Sequence, residues 1–177
     1  WLIAGAWFDA LGANPAEYLI RSTGELTLRM LCVTLSITPL RVWCGWPEWA
    51  RFRRLLGLWT FAYALLHALG YAWFDMGLAW DDIWRDINKR PFILVGVLGL
   101  TLLTPLAATS FNAAVRRLGG ARWRRLHQSV YLIAPLAVLH FYWMRAGKSN
   151  FAEVVVYGAI LAALLLWRVW NKRFARY

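Results

Sequence analysis

A chain of 177 residues that is 60% hydrophobic and carries thirteen Trp is too apolar for an ordinary soluble domain of its size. Its formal net charge of +11 would suit a nucleic-acid binder, but the basic residues are sorted loop by loop rather than gathered on one patch, which argues against that class. The two cysteines, Cys32 in an apolar run and Cys44 near its end, make no metal pair, and no disulfide is expected between them.

Crossing a hydrocarbon core of about 30 Å takes about 20 mostly apolar residues. The opening "WLIAGAWF" reads as the tail of a first span that begins upstream, because it lacks the basic start and small-residue cleavage site of a signal peptide. Five more spans are expected at 24–43, 54–74, 91–110, 127–144 and 151–170. The connections are short, so the expected fold is an all-α membrane protein. It is a six-helix transmembrane bundle with its first helix truncated, forming a single domain over 1–177. Pro39, Pro105 and Pro135 fall within or near the ends of spans, where they kink helices whose neighbours satisfy the freed backbone groups. Trp7, Trp43, Trp46, Trp73, Trp143 and Trp167 crowd the span ends as an aromatic belt. The segment 75–90, "DMGLAWDDIWRDINKR", is acidic and bears Trp; it suits either an interfacial helix or a docking surface for a partner.

Charge sets the orientation. Loops 41–54 and 116–125 and the tail carry thirteen basic residues, among them Arg53, Arg54, Arg124, Arg125 and Arg168, against Glu48 alone. The alternate segments, with flanking Glu25 and Glu153, hold six basic residues and eight acids. By the positive-inside rule the basic loops and the C-terminus are cytoplasmic, in contact with anionic lipid of the bilayer.

The three histidines, His67, His127 and His140, all lie in apolar surroundings. An ionisable side chain inside a membrane is costly and usually functional. Two readings compete: imidazoles hydrogen-bonded to neighbouring helices, or axial ligands of haem. Three together, with nearly all acids confined to loops, favour haem over a proton relay. Depth refines this. His67 follows Arg54 by thirteen residues and His140 follows Arg125 by fifteen, and both spans run outward from the cytoplasm. The two should therefore meet at one level towards the outer face, as ligands of an outer haem. His127 follows Arg125 by only two residues and belongs to an inner level, about 20 Å from His140. No histidine stands opposite it; Arg53 and Arg54 occupy that level and suit haem propionates. Thirteen residues turn an ideal helix by about 1300°, so His127 and His140 share a face only if the helix is distorted, with Pro135 as the candidate kink. Arg29, near the outer end of its span, is either a propionate partner for the outer haem or a snorkelling cation. Gly57 and Gly70 would admit a porphyrin or a closely packed helix.

An internal echo accompanies the histidines. "ITPL" at Pro39 and "LTPL" at Pro105 each precede a basic loop with an "RRL" triplet, and each loop leads to a helix with a deep histidine. Duplication and chance both account for matches this short.

"RRLLGLWTFAYALLHALGY", "KRPFILVGVLGL", "LGGARWRRLHQSVYL" and "LHFYW" resemble the MsrQ (YedZ) family, from "GANP" near Gly12 to the last span. That family is the haem-binding membrane subunit of the bacterial periplasmic methionine sulfoxide reductase system, within the wider ferric-reductase-like transmembrane group. The resemblance implies a six-helix inner-membrane b-type cytochrome with one or two haems b, and places His67, His127 and His140 at the family's histidine positions. In the wider group the equivalent of the 54–74 span carries two haem histidines; here it carries one. The resemblance also implies electron delivery to a periplasmic molybdopterin enzyme, MsrP. The donor would be the quinone pool or a cytosolic flavin reductase. FMN is implied by the resemblance alone. The chain is then an electron-transfer subunit, with substrate chemistry in its partner. The rival readings are a ferric or quinone reductase without a dedicated partner, and a non-haem scaffold or transporter.

Overall fold

The computed structural model describes residues 12–147 and 150–174, all of them helix or short connection with no strand. The expected stub over 1–8 lies outside the described residues. Five long helices carry the fold: α1 (Pro15–Cys44), α2 (Trp49–Gly70), α4 (Pro91–Ala108), α7 (Val130–Ala146) and α8 (Ala152–Phe174). Three short ones join them: α3 (Trp80–Lys89), α5 (Asn112–Leu118) and α6 (Gly120–His127). Four of the long helices are long and apolar enough to cross a bilayer. The fifth, α7, has 17 residues and rises about 25 Å.

The element bounds depart from hydropathy in instructive ways. The 24–43 span starts nine residues early, because Asn14 caps α1: its side chain accepts the Glu17 N–H at 3.1 Å and Pro15 takes the first turn. Its polar first turns are further held by an ion pair between Glu17 and Arg21. The end is set by Gly45 at φ 70°, whose N–H returns to the Arg41 carbonyl. The loop at 116–125 is two short helices, and the 127–144 span begins only at Val130, after a break at Gln128–Ser129. Segment 75–90 contains α3. Its Trp80 and Trp84 point outward while Tyr71, in a π-helical turn that ends α2 (Tyr71–Asp75), donates to Asp86 at 2.7 Å.

In a bilayer every backbone polar group must find a partner inside the protein. Threonines obey this by bonding back one turn: Thr27 to Thr23, Thr34 to Met30, Thr60 to Leu56, Thr101 to Val97 and Thr104 to Leu100. Pro39 poses a sharper problem. It lacks the N–H that would bond the Leu35 carbonyl, four residues back. Arg168 of α8 fills that place: a guanidinium N–H donates to Leu35 O at 2.6 Å and to the Thr38 hydroxyl at 3.3 Å. The cation lies over the Tyr131 ring and is only 8% exposed. Arg168, expected in the cytoplasmic basic tail, is thus a buried tie between α8 and α1.

Packing divides the bundle into two helix pairs. α2 packs mainly on α1 and α7 mainly on α4, with little direct packing between α2 and α7. α8 closes one side against α1 and α7 through Leu28, Leu31, Leu35, Ala134, Phe141 and Leu161. Outward-facing Leu58, Leu65, Leu66, Leu69, Val155, Val156 and Leu166 form the apolar surface that lipid requires.

Replacing Arg168 by Leu should cost about 1–3 kcal/mol, because Leu35 O and Thr38 lose their donor. The cost should shrink in a Pro39→Ala background, where residue 39 regains an N–H for Leu35 O. Thermal unfolding of the four proteins in detergent checks this; strictly additive effects would show that the two features are unrelated.

Candidate functional site

His67 on α2 and His140 on α7 come together across the gap between the two helix pairs, with ring centroids 6.0 Å apart and planes at 85°. Each ring is tied on its far side to a different helix. His67 Nδ1–H donates to the Ile20 carbonyl of α1 at 2.8 Å, and His140 Nδ1–H to the Phe92 carbonyl of α4 at 2.6 Å. These bonds fix the tautomer and leave Nε2 on both rings as the unprotonated nitrogen, the one able to take a metal.

The same local device builds both sites. To reach the carbonyl of residue i on a helix, an imidazole must pass over residue i+4. Those residues are Gly24 and Gly96. A Cβ on Gly24 would stand 3.1 Å from His67 ring atoms, and one on Gly96 would stand 3.0 Å from His140 ring atoms. The glycines suggested by sequence behave differently. Gly57 meets only Thr34 at ordinary contact distance, and Gly70 lets α2 approach Ile20 of α1. A glycine four residues past a span residue is a weak signal in sequence, and only the histidine opposite reveals it.

The donor set fits a haem iron. Two axial imidazoles bonded at about 2 Å put their nitrogens about 4 Å apart, and their ring centroids near the separation seen here. Among the described residues no three His, Cys, Asp or Glu side chains cluster, so the multidentate set of a non-haem metal site is not assembled. Cys32 is buried in α1 and Cys44 is exposed; both are free thiols.

The other candidates lie elsewhere. Arg29 does not face His67: it donates to the Tyr157 hydroxyl of α8 at 2.9 Å and to Glu25 at 3.1 Å. It belongs to a polar cluster between the middle of α1, the C-terminal end of α7 and the N-terminal end of α8, where Arg145 pairs with Glu153 at 2.6 Å and with Glu25 at 3.8 Å. His127 closes α6, ahead of the α7 span, and its Nε2 lies 3.0 Å from the Thr109 hydroxyl. Trp123 stacks on it at 4.0 Å and donates its indole N–H to the Thr109 carbonyl. Burial, followed by the charges of Arg53 and Arg54, pushes the proton affinity of His127 down. Arg54 itself donates to Asn112 at 2.7 Å. The distortion between His127 and His140 is the break at Gln128–Ser129, six residues before Pro135 is reached.

The ferric reductase like transmembrane component family matches residues 23–138, a stretch that contains His67 and His127 and stops just before His140. A protein-methionine-sulfoxide reductase heme-binding subunit MsrQ from Polaromonas naphthalenivorans is 63% identical, covering 97% of this chain and 78% of its own length. Proteins of the same name from Caulobacter vibrioides (49% identity, 98% of this chain, 81% of theirs) and Bordetella pertussis (48%, 99% and 85%) align as fully. The chain belongs to the MsrQ family, within the ferric-reductase-like transmembrane group.

Thr109→Val keeps the side-chain shape and removes the hydroxyl that holds His127. A loss of about 1 kcal/mol in thermal or denaturant stability is expected. An unchanged midpoint would mean that His127 Nε2 is held by something other than Thr109.

Proposed function

We propose that this chain is a b-type cytochrome, a single transmembrane domain over 1–177 that carries electrons across the bacterial inner membrane to a periplasmic methionine sulfoxide reductase. The observation that supports it most is the facing pair His67 and His140, each anchored through Nδ1 and each presenting Nε2. The relatives are named as the heme-binding subunit of a protein-methionine-sulfoxide reductase, which agrees with that donor set.

His67 and His140 are the residues that would hold an outer haem b. The haem supplies a one-electron couple, and the protein supplies position and potential. A carbonyl bonded to each Nδ1–H raises the basicity of the ligating nitrogen and prevents the ring from swinging away. Two histidines holding the group from either side would leave no room for oxygen, which suits electron transfer. His127 is the inner candidate, with Arg53 and Arg54 as the cations for propionates at that level. Its bond to Thr109 must be exchanged before it ligates, so the inner position is the weaker one. Electrons enter from quinol or a flavin donor on the cytoplasmic side, where the basic loops lie. They leave at the acidic outer face to the molybdopterin partner MsrP.

Purified protein should show a reduced-minus-oxidised haem b spectrum. His67→Ala and His140→Ala should each abolish the outer haem, and His127→Ala should spare it. Colourless protein after expression with ample porphyrin sinks the reading. Haem retained in His140→Ala but lost in His127→Ala reverses the depth assignment.

Docking at the outer face is testable on α3. Asp81 and Asp82 face solvent, whereas Asp86 is engaged by Tyr71 and by Arg90 at 2.9 Å. Charge reversal at Asp81 and Asp82 should slow reduction of the periplasmic partner several-fold, more at low ionic strength, with the haem spectrum intact. Equal rates would remove α3 from the interface.

A further inference from the structure

We infer that Ile20–Gly24 and Phe92–Gly96 form a duplicated seat that holds the His67 and His140 ring planes at right angles and so sets the electronic character of the iron between them. This rests on the haem reading above.

A histidine ring on a helix has two torsions. The seat removes both. One anchor is the ring's own Cβ, on α2 or α7. The other is the Nδ1–H bond to a carbonyl on a different helix, α1 for His67 and α4 for His140. The glycine four residues beyond the accepting carbonyl sets how closely the ring lies on that helix, at a distance where even a methyl group would press on Nδ1 and Cε1. The plane of His67 is therefore dictated by how α2 crosses α1, and that of His140 by how α7 crosses α4. Neither depends on the other ring. The two helix pairs use one device twice, and the planes they produce stand at 85°.

Perpendicular imidazoles have a definite consequence. Each axial ring interacts with one of the two iron d orbitals of π symmetry that lie out of the porphyrin plane. Parallel rings act on the same orbital and split the pair; perpendicular rings act on one each and leave the pair nearly degenerate. A low-spin ferric centre of the second kind has one g value far to low field and broad, weak remaining features. The parallel arrangement gives three well-resolved g values.

Gly24 and Gly96 are positioning residues in this account, and Gly99 provides the control. It lies on α4 three residues beyond Gly96, and a Cβ there meets nothing within 4 Å. Gly→Ala at either position gains similar helix propensity, so only the imidazole contact separates the two variants.

The test is low-temperature EPR of the oxidised, detergent-purified protein. A His127→Ala background removes any signal from the inner position. The expected spectrum is a single, strongly low-field-shifted low-spin feature. Gly96→Ala should move that feature and the haem midpoint potential, and Gly24→Ala should do the same from the other side. Gly99→Ala should leave both unchanged. Should Gly96→Ala fail to accumulate, Gly24→Ala and the parent spectrum still decide. Three well-resolved g values in a haem-loaded parent overturn the seat while leaving haem binding intact. Identical spectra and potentials for Gly96→Ala and Gly99→Ala also overturn it. Protein without haem overturns the haem reading, and with it the seat.

Discussion

An imidazole placed in hydrocarbon has two nitrogens and no water. One nitrogen carries a proton that must be donated; the other carries a lone pair that must be used. His67 and His140 meet the first demand in the same way, by giving Nδ1–H to a backbone carbonyl of a neighbouring helix. The second demand is left for the space between them. Much of the rest of the bundle follows from that division. α1 and α4 must lie behind the histidine helices to offer carbonyls, and glycines must stand where the rings cross them. α2 and α7 must stay apart, with their side-by-side packing given over to α1 and α4.

The same accounting governs the backbone. A proline in a membrane helix orphans the carbonyl four residues earlier, and lipid cannot compensate. Arg168 crosses from α8 to cover the carbonyl that Pro39 leaves at Leu35, stacking on Tyr131 as it does so. A buried cation is a costly way to supply a donor, but it also locks α8 against α1 at a defined height. The same two helices are tied again, near the start of α8, by Arg145 with Glu25 and Glu153 and by Arg29 with Tyr157. Together these contacts clamp α8 at both ends of the bundle, on the side away from α4.

Hydropathy and charge made the spans and their alternation legible, and counting from the last arginine was enough to bring His67 and His140 to one level. Helix ends were harder. Polar Glu17 and Arg21 hid the first turns of α1 from a hydropathy reading, although Asn14–Pro15 is a capping signature. The basic segment before α7 read as loop because arginines dominate it, yet α5 and α6 form there, α6 being pinned by Trp123 and His127 to Thr109. Arg168 was placed by the charge rule and Arg29 by its depth in the span, while the structure places them by the carbonyl and hydroxyl acceptors that face them across helices. Such long-range partners leave no trace in local pattern. The internal echo was visible in part. The prolines and "RRL" triplets that first suggested it do not correspond in space: Pro39 lies nineteen residues after Ile20, and Pro105 thirteen after Phe92. The elements that do correspond are a carbonyl, a glycine four residues on, and a histidine from the next helix of the pair.

That correspondence explains why the two levels of the bundle differ. At the level of His67 and His140 both halves contribute the whole unit, so two rings arrive already tied at Nδ1. At the level of His127 only one half has a histidine, and no such seat receives it. His127 follows a break in the chain, bonds a threonine hydroxyl and lies under Trp123. Opposite it stand Arg53 and Arg54, cations that no carboxylate neutralises among the contacts described there. A level with one engaged imidazole and two guanidinium groups attracts anionic oxygen more readily than it encloses iron. The His67 and His140 rings are held in place by their Nδ1 bonds, and the group around His127 gathers positive charge instead.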